Sequence, residues 1–203
     1  GMTTVSLDSV VVVLLNGANG SLYASIELSG ALAPGSYALV ASPNVPVPNG
    51  VLSFALPGES NQIQNGPFDG VILMDSSDLI ALDSLSYEGD AGTWPVLGID
   101  VDVSEGLGFA GAELDTDVPN RSVARFPNGA DTNDNAVDFT LTTTPTPGGA
   151  NLVPALENCM DGIDNNNDNQ IDCAEAACAG QGCGPFGLTC ELSACVCAAG
   201  DAE

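Results

Sequence analysis

Hydrophobic positions in the first 142 residues follow the spacing of short β-strands. Val10–Leu15 is an unbroken run of valine and leucine, which predicts a strand buried on both faces. Two Asn-Gly steps within Asn16–Gly20 supply the positive φ angles that a tight hairpin needs. Residues 22–28 then alternate, with aliphatic side chains at the even positions, so that one face of this strand is predicted to pack inward.

The later strands are predicted from the same signals, with Gly and Pro in the turns between them. They are Tyr37–Ala41, Val51–Leu56, Val71–Met74, Leu79–Tyr87, Ser122–Phe126 and Val137–Thr142. No window of eleven or more residues repeats with the helical period of 3.6. The fold class predicted for this part of the chain is therefore all-β, an antiparallel β-sandwich.

The strand pattern weakens between Gly89 and Asn120. This stretch contains the only tryptophan, Trp94. From Asp100 onward it has six acidic residues, which are Asp100, Asp102, Glu105, Glu113, Asp115 and Asp117. A long loop inside a compact domain is either functional or poorly ordered. A solvated insertion is the favoured interpretation, and a second calcium site or a ligand-facing surface is the alternative.

The charge of the chain excludes several classes of function. Its 203 residues include 27 acids but only two arginines, Arg121 and Arg125, for a net charge of −25. Nucleic-acid binding is not expected, because two cations cannot neutralise a row of phosphates. An anionic membrane surface would repel the chain, and no apolar run is long enough to insert into a bilayer. Without histidine or lysine, no Ser-His, Cys-His or Ser-Lys pair can form.

All seven cysteines lie between Cys159 and Cys197. This concentration predicts two domains, a cysteine-free domain over residues 1–151 and a cysteine-rich tail over 152–203. Disulfides would place the protein outside the cell or at its surface. A zinc-binding tail is the alternative, but the tail has neither a C-x2-C pair nor a histidine.

Residues 5–151 carry a series of motifs in an order that resembles the lamin-tail domain of secreted bacterial proteins. The motifs are Leu28–Tyr37, Asp83–Gly89, Ser122–Gly129 with Asp131, Asn135 and Asp138-Phe139, and Thr146–Asn151. The resemblance implies an immunoglobulin-like β-sandwich that binds or tethers and has no catalytic residues. Arg125 occupies the Ser-x-x-Arg position of the family. As one of only two cations, it is expected to pair with a local carboxylate and fix the last strands, and ligand binding is the alternative.

One departure from that pattern concerns the start of the domain. Nothing before Val5 matches the first strand of the family, so this strand is expected to be missing. A sheet edge left unpaired is a template for another chain. We expect strand exchange, edge-to-edge pairing into a homo-oligomer, or replacement of the strand by another segment.

The tail contains a segment that matches the twelve-residue calcium loop. The predicted ligands at positions 1, 3, 5, 7, 9 and 12 are Asp164, Asn166, Asp168, Gln170, Asp172 and Glu175. Calcium prefers six to eight oxygen ligands, which this spacing can wrap around one point. Asn169 replaces the usual glycine at position 6, and asparagine tolerates a positive φ better than other residues. The alternative is an Asn/Asp-rich turn that binds nothing.

Residues 157–197 also resemble the cysteine-framed, Asp-rich repeats of secreted bacterial proteins. In that setting the cysteines are expected to form disulfides, with Cys159 joined to Cys173 or Cys178 across the calcium loop. Cys183, Cys190, Cys195 and Cys197 would hold a second small knot. The connectivity stays open, as does the fate of the seventh thiol.

The function predicted from these features is a non-catalytic, secreted or cell-surface module that binds an extracellular protein or glycan. Its tail would be a spacer stiffened by calcium. Two alternatives remain at this point. One is a hydrolase using paired carboxylates between Asp100 and Asp117 or a calcium-polarised substrate, and the other is a structural subunit that assembles through the open edge.

Overall fold

The computed structural model describes residues 3–58, 62–64, 68–109, 122–152, 188–191 and 194–197. The chain divides into two compact units, Gly1–Val153 and Pro154–Glu203. The strands of the first unit are β1 (Val5–Ser6), β2 (Val10–Asn16), β3 (Ser21–Glu27), β4 (Ala31–Leu32), β5 (Ala38–Ala41), β6 (Leu52–Ala55), β7 (Asp69–Asp75), β8 (Ile80–Tyr87), β9 (Thr93–Val96), β10 (Ile99–Asp102), β11 (Ser122–Arg125) and β12 (Phe139–Thr142). One helical turn, α1 (Asn135–Asp138), precedes β12.

The centre of the first unit is a four-stranded antiparallel sheet in the order β3-β2-β7-β8. The Asn16–Gly20 turn joins β2 to β3, and the Gly20 amide donates to the Asn16 carbonyl at 2.8 Å. The all-β class is confirmed, as is the strand predicted at Val10–Leu15. The prediction of purely antiparallel pairing is wrong at one place, since β5 and β6 pair in parallel.

Both faces of the central sheet are buried, as the unbroken apolar run of β2 predicts. Odd-numbered residues of β2 pack on one face with Ile72 and Met74 of β7 and with Val96 and Val101 of the β9–β10 hairpin. Even-numbered residues pack on the other face with Ile26 of β3, and β5 and β6 lie against that side. Successive side chains of a strand point to opposite faces, so one strand serves two cores.

The β9–β10 hairpin overturns the prediction of a solvated insertion for residues 93–103. Val96, Val101 and Val103 are buried in the first of the two cores. The hairpin closes through Leu97-Gly98, and both residues have positive φ. Asn-Gly is the usual sequence for such a turn. Because leucine stands in the first position here, the turn was not predicted from the sequence.

A second correction concerns the last predicted strand, which begins at Phe139 rather than Val137. The Asp134 side chain accepts a hydrogen bond from the Ala136 amide and caps α1. In this turn Val137 is 64% exposed while Asp138 is buried. β12 then pairs antiparallel with β11, and β1 pairs antiparallel with β4.

In the second unit the described residues form one antiparallel hairpin of β13 (Leu188–Glu191) and β14 (Ala194–Cys197). Its register places the backbone of Cys190 opposite that of Cys195. The bridges predicted for the tail remain predictions. Within the described parts of the chain, no helix is both long and apolar enough to cross a bilayer.

Candidate functional site

The predicted calcium loop lies outside the described residues, so its six ligands remain a prediction. In the described part of the chain, no three Cys, Asp or Glu side chains are grouped as metal ligands. The features that do come together are the motif residues of the first unit. They form a charged cluster around Arg125, a capped sheet edge and a neutral pocket.

Arg125 is the centre of the charged cluster. Its Nη2 atom lies 2.6 Å from Asp83 Oδ1, and its Nη1 atom lies 3.4 Å from Asp138 Oδ2 and 3.6 Å from Asp131 Oδ1. Nη1 also donates to the Ala130 carbonyl at 3.0 Å. The prediction that Arg125 pairs with a carboxylate is confirmed. These contacts join β11 to Asp83 of β8 and to Asp138, the last residue of α1, which directly precedes β12.

Asp138 is the buried partner in this cluster, with only 2% of its surface exposed. It accepts hydrogen bonds from the amide and hydroxyl of Thr132 at 2.8 and 2.9 Å. Burial disfavours its charge, but these bonds and the Arg125 guanidinium outweigh burial and hold the pKa of Asp138 below its ordinary value. The 131–138 loop is therefore folded around an ionised carboxylate.

Two other acids near Arg125 are shifted in the opposite direction. Burial raises the pKa of Asp83, although the Arg125 guanidinium acts against that rise. Burial and the neighbouring Asp83 charge raise the pKa of Glu105. The single guanidinium is shared among more carboxylates than it can neutralise.

The guanidinium also lies 4.4 Å from the centre of the Phe139 ring, its neighbour across the β11–β12 pair. Both residues line a hollow of about 280 Å³, together with Val71, Leu73, Asp83, Ser84 and Leu85. Only 12% of the Arg125 side chain is exposed, and its guanidinium is engaged by three carboxylates of the fold.

The outer edge of β8 is covered by side chains rather than by a strand. Asn135 accepts a hydrogen bond from the Ser86 amide at 2.7 Å and donates to the Ser84 carbonyl at 3.0 Å. Glu105 accepts from the Ser84 amide at 3.0 Å, and the Phe109 amide donates to the Ser86 carbonyl at 2.9 Å. Residues 84–86 of this edge are thereby closed to another chain.

The opposite edge of the sheet differs. Among the described residues, β3 pairs only with β2. Leu22 on this strand is 38% exposed, and Ser25 and Glu27 are also exposed. β3 is thus an edge strand of the central sheet in the described structure, with exposed residues along its length.

A second pocket, of about 270 Å³, lies between the start of β5, the β11–β12 pair and the 145–149 loop. The described residues that line it are Tyr37, Ala38, Ser122, Val123, Ala124, Thr142, Pro145, Thr146, Pro147, Gly148, Gly149 and Asn151. None of them is charged. This pocket could not be found from sequence, since its walls come from four separate segments.

Asn128 and Asn151 fix the walls of this pocket. The Asn128 amide group donates to the Tyr37 hydroxyl at 2.7 Å and accepts from the Asn151 backbone amide at 3.0 Å. The Asn151 side chain in turn donates to the Arg125 carbonyl at 3.0 Å. The pocket and the charged cluster therefore share β11 as a common support.

The acidic residues at 100–117 are brought together only in part by the described structure. Asp100 and Asp102 are both exposed on β10. Glu105 is half-buried and hydrogen-bonded to Ser84 and Asn135, so it acts in the edge cover. The other three acids of this stretch fall outside the described residues.

Comparison of the chain with protein-family models, with curated proteins and with solved structures found no match in any of the three.

Proposed function

We propose that this protein is a non-catalytic, secreted or cell-surface binding module. Its first unit would be a lamin-tail-like, immunoglobulin-like sandwich, and its tail a disulfide-bonded spacer stiffened by calcium. The observation that carries the proposal is the contrast between the two edges of the central sheet. One edge is covered by Asn135 and Glu105, whereas β3 pairs only with β2 among the described residues.

An uncovered edge strand recruits a partner by β-augmentation, in which an extended segment adds to the sheet through backbone hydrogen bonds. The alternate side chains of the strand would then supply specificity, and Leu22 is available for that purpose. The partner would be an extracellular protein. Because the chain has a net charge of −25, a neutral or basic segment would approach it more readily than an acidic one.

The resemblance to the lamin-tail domain is supported by where its motif residues lie. Asp83 comes from one motif, Asp131 and Asp138 come from another, and all three contact Arg125. Tyr37 and Asn151, from the first and last motifs, are joined through Asn128. Motif residues spread over 115 positions of the sequence, from Tyr37 to Asn151, are thus joined by hydrogen bonds and ion pairs into one network.

Screening the full-length protein against an array of extracellular proteins tests this function. We expect the array to yield a partner whose binding is at least tenfold weaker in the Leu22→Lys variant. The Val47→Lys variant is the matched control, because Val47 is 44% exposed and lies outside β3. Equal loss in both variants, or no loss in Leu22→Lys, would rule out β3 as the binding edge.

The same edge supports a second candidate, a structural subunit that assembles through β3. Two copies would each bring a charge of −25, and their repulsion opposes pairing at low ionic strength. Assembly through β3 therefore predicts dimers or polymers that grow with added salt and disappear in Leu22→Lys. Light scattering that shows a monomer at every salt concentration would exclude this candidate.

A further inference from the structure

We propose that the pocket beside Tyr37 is a carbohydrate site that takes one neutral pyranose ring. The inference rests on the proposed function in one respect, namely that the protein is a recognition module. It adds a second surface, formed by β5, β11, β12 and the 145–149 loop rather than by the β3 edge.

Charge is the first argument for the class of ligand. An anionic ligand would approach a chain with a net charge of −25 against a repulsive field. A cationic ligand would find no carboxylate among the described residues of the wall. It would therefore lose its hydrating water without gaining an ion pair in return. A neutral ligand meets neither penalty.

The kinds of side chain in the wall give the second argument. The apolar surface comes from Val123, Ala124 and two prolines, and the polar atoms come from hydroxyl and amide groups. The ring of Tyr37 adds a flat surface with a polar end. A purely apolar ligand would make no use of the hydroxyl oxygens of Ser122 and Thr146, whereas a sugar ring has both C–H faces and hydroxyl groups.

Rigidity is the third argument. The Thr142 hydroxyl donates to the Leu152 carbonyl at 2.6 Å, and the Thr146 hydroxyl donates to the Ala150 carbonyl at 2.8 Å. The Thr146 oxygen keeps a lone pair that can accept from a ligand, whereas the buried Thr142 oxygen already accepts from the Thr144 amide at 3.0 Å. Gly148 packs against Val51, where an added Cβ atom would lie 3.0 Å from the valine methyl carbon. A wall held in this way costs little ordering entropy on binding.

The size of the pocket agrees with a small ligand. Its volume of about 270 Å³ falls just below the range of roughly 300–1,000 Å³ that is typical of pockets for drug-sized molecules. A single ring with its substituents is the unit that such a volume accommodates. A longer glycan would place one residue in the pocket and leave the remainder in solvent.

Saturation-transfer NMR on the full-length protein tests the proposal. The probes are the methyl glycosides of glucose, galactose, mannose and N-acetylglucosamine, each at millimolar concentration. We expect transfer to at least one of them, with affinity lowered at least tenfold in Tyr37→Ala and largely kept in Tyr37→Phe, which retains the ring. Tyr23→Phe is the control for loss of a tyrosine hydroxyl elsewhere.

A charged probe makes the test sharper. The methyl glycoside of glucuronic acid keeps the pyranose ring but adds a carboxylate, and we expect it to bind at least tenfold more weakly than the neutral sugar that binds best. Three results would each overturn the proposal: no transfer to any neutral probe, transfer that survives Tyr37→Ala, or equal binding of the uronate. The emission of Trp94 shows whether each variant is folded. Failure here leaves the β3 edge untouched, since that site is tested separately by Leu22→Lys.

Discussion

The side-chain amide of Asn135 replaces a missing strand at the edge of β8, where its oxygen accepts from the Ser86 amide at 2.7 Å. Its nitrogen donates to the Ser84 carbonyl, so one residue satisfies a donor and an acceptor of the edge. Asn135 is completely buried. Asn135 thus closes this edge to pairing with another chain. It also provides hydrogen-bond partners for backbone groups that are buried.

Replacing Asn135 by leucine should destabilise the protein strongly. The Ser86 amide and the Ser84 carbonyl would remain buried without partners, at about 1–3 kcal/mol for each group. Urea unfolding followed by Trp94 emission measures the loss. Asn44→Ala, at an exposed position, is the control and should change the free energy of unfolding by less than about 0.5 kcal/mol. Equal stability of the two variants would show that water, not Asn135, satisfies the edge.

Arg125→Met should cost about 3–5 kcal/mol, because it leaves the Asp138 carboxylate buried without its cation. Asp83→Asn should cost less than about 1 kcal/mol, since the Asp83 side chain is 37% exposed and water replaces part of the interaction. Urea unfolding of both variants decides the ranking. A larger loss for Asp83→Asn would mean that the exposed pair, not the buried one, holds the last strands.

Gly20→Ala should displace Trp94. A Cβ atom at position 20 would lie 2.1 Å from Cε3 of the indole ring, and the φ of +71° is unfavourable for alanine. Gly35→Ala is a matched control, because Gly35 has a φ of +72° with nothing within 4 Å of its added Cβ. Both variants bear the backbone cost, so the difference between them measures the indole contact. We expect a shift of tryptophan emission in Gly20→Ala alone.

The stability of the first unit should pass through a maximum at mildly acidic pH. Asp83 and Glu105 have raised pKa values in the folded state, so their contribution is complete below their unfolded values of 3.8 and 4.5 and is lost as pH rises through the folded values. Asp138 has a lowered pKa, so its contribution is present above 3.8 and is lost as pH falls through the folded value. Thermal melts across this pH range locate the maximum.

Repulsion among the surface acids also weakens on acidification, and salt separates the two effects. At 1 M salt the Debye length is about 3 Å, so surface repulsion is largely screened while the buried groups are not. The maximum should therefore persist at high salt. If the maximum is absent at high salt, the pH dependence of stability comes from the net charge and not from Asp83 and Glu105.

Calcium should bind the oxidised full-length protein with a dissociation constant of about 10⁻⁴–10⁻³ M, as in extracellular modules. Calorimetric titration should show the heat of binding vanish in Asp164→Ala, which removes the ligand at position 1. Asn167→Ala, at position 4 of the loop, is a matched control that should bind normally. Bound calcium should also raise the melting temperature of the tail, by an amount that grows with the logarithm of 1 + [Ca²⁺]/Kd. Identical titrations of all three proteins would leave the loop as a turn without a metal.

The pattern of apolar positions along the chain determined the all-β class, the two-sided burial of β2 and the positions of most strands. These follow from sequence because the side chains of a strand change face at every residue and no other segment is needed to assign them. The Arg125 pairing was also predictable, since one of only two cations in so acidic a chain must find a carboxylate nearby.

Only the tertiary structure decided which polar residues became internal. Asn135 reaches Ser86 across 49 positions of sequence, Asp138 is buried by contacts with Thr132 and Arg125, and Leu97-Gly98 closes a hairpin without the usual turn residues. The neutral pocket beside Tyr37 joins four segments. A polar side chain can be buried when hydrogen-bond or ion-pair partners from distant segments offset its loss of water. The local pattern of polar and apolar residues does not identify those partners.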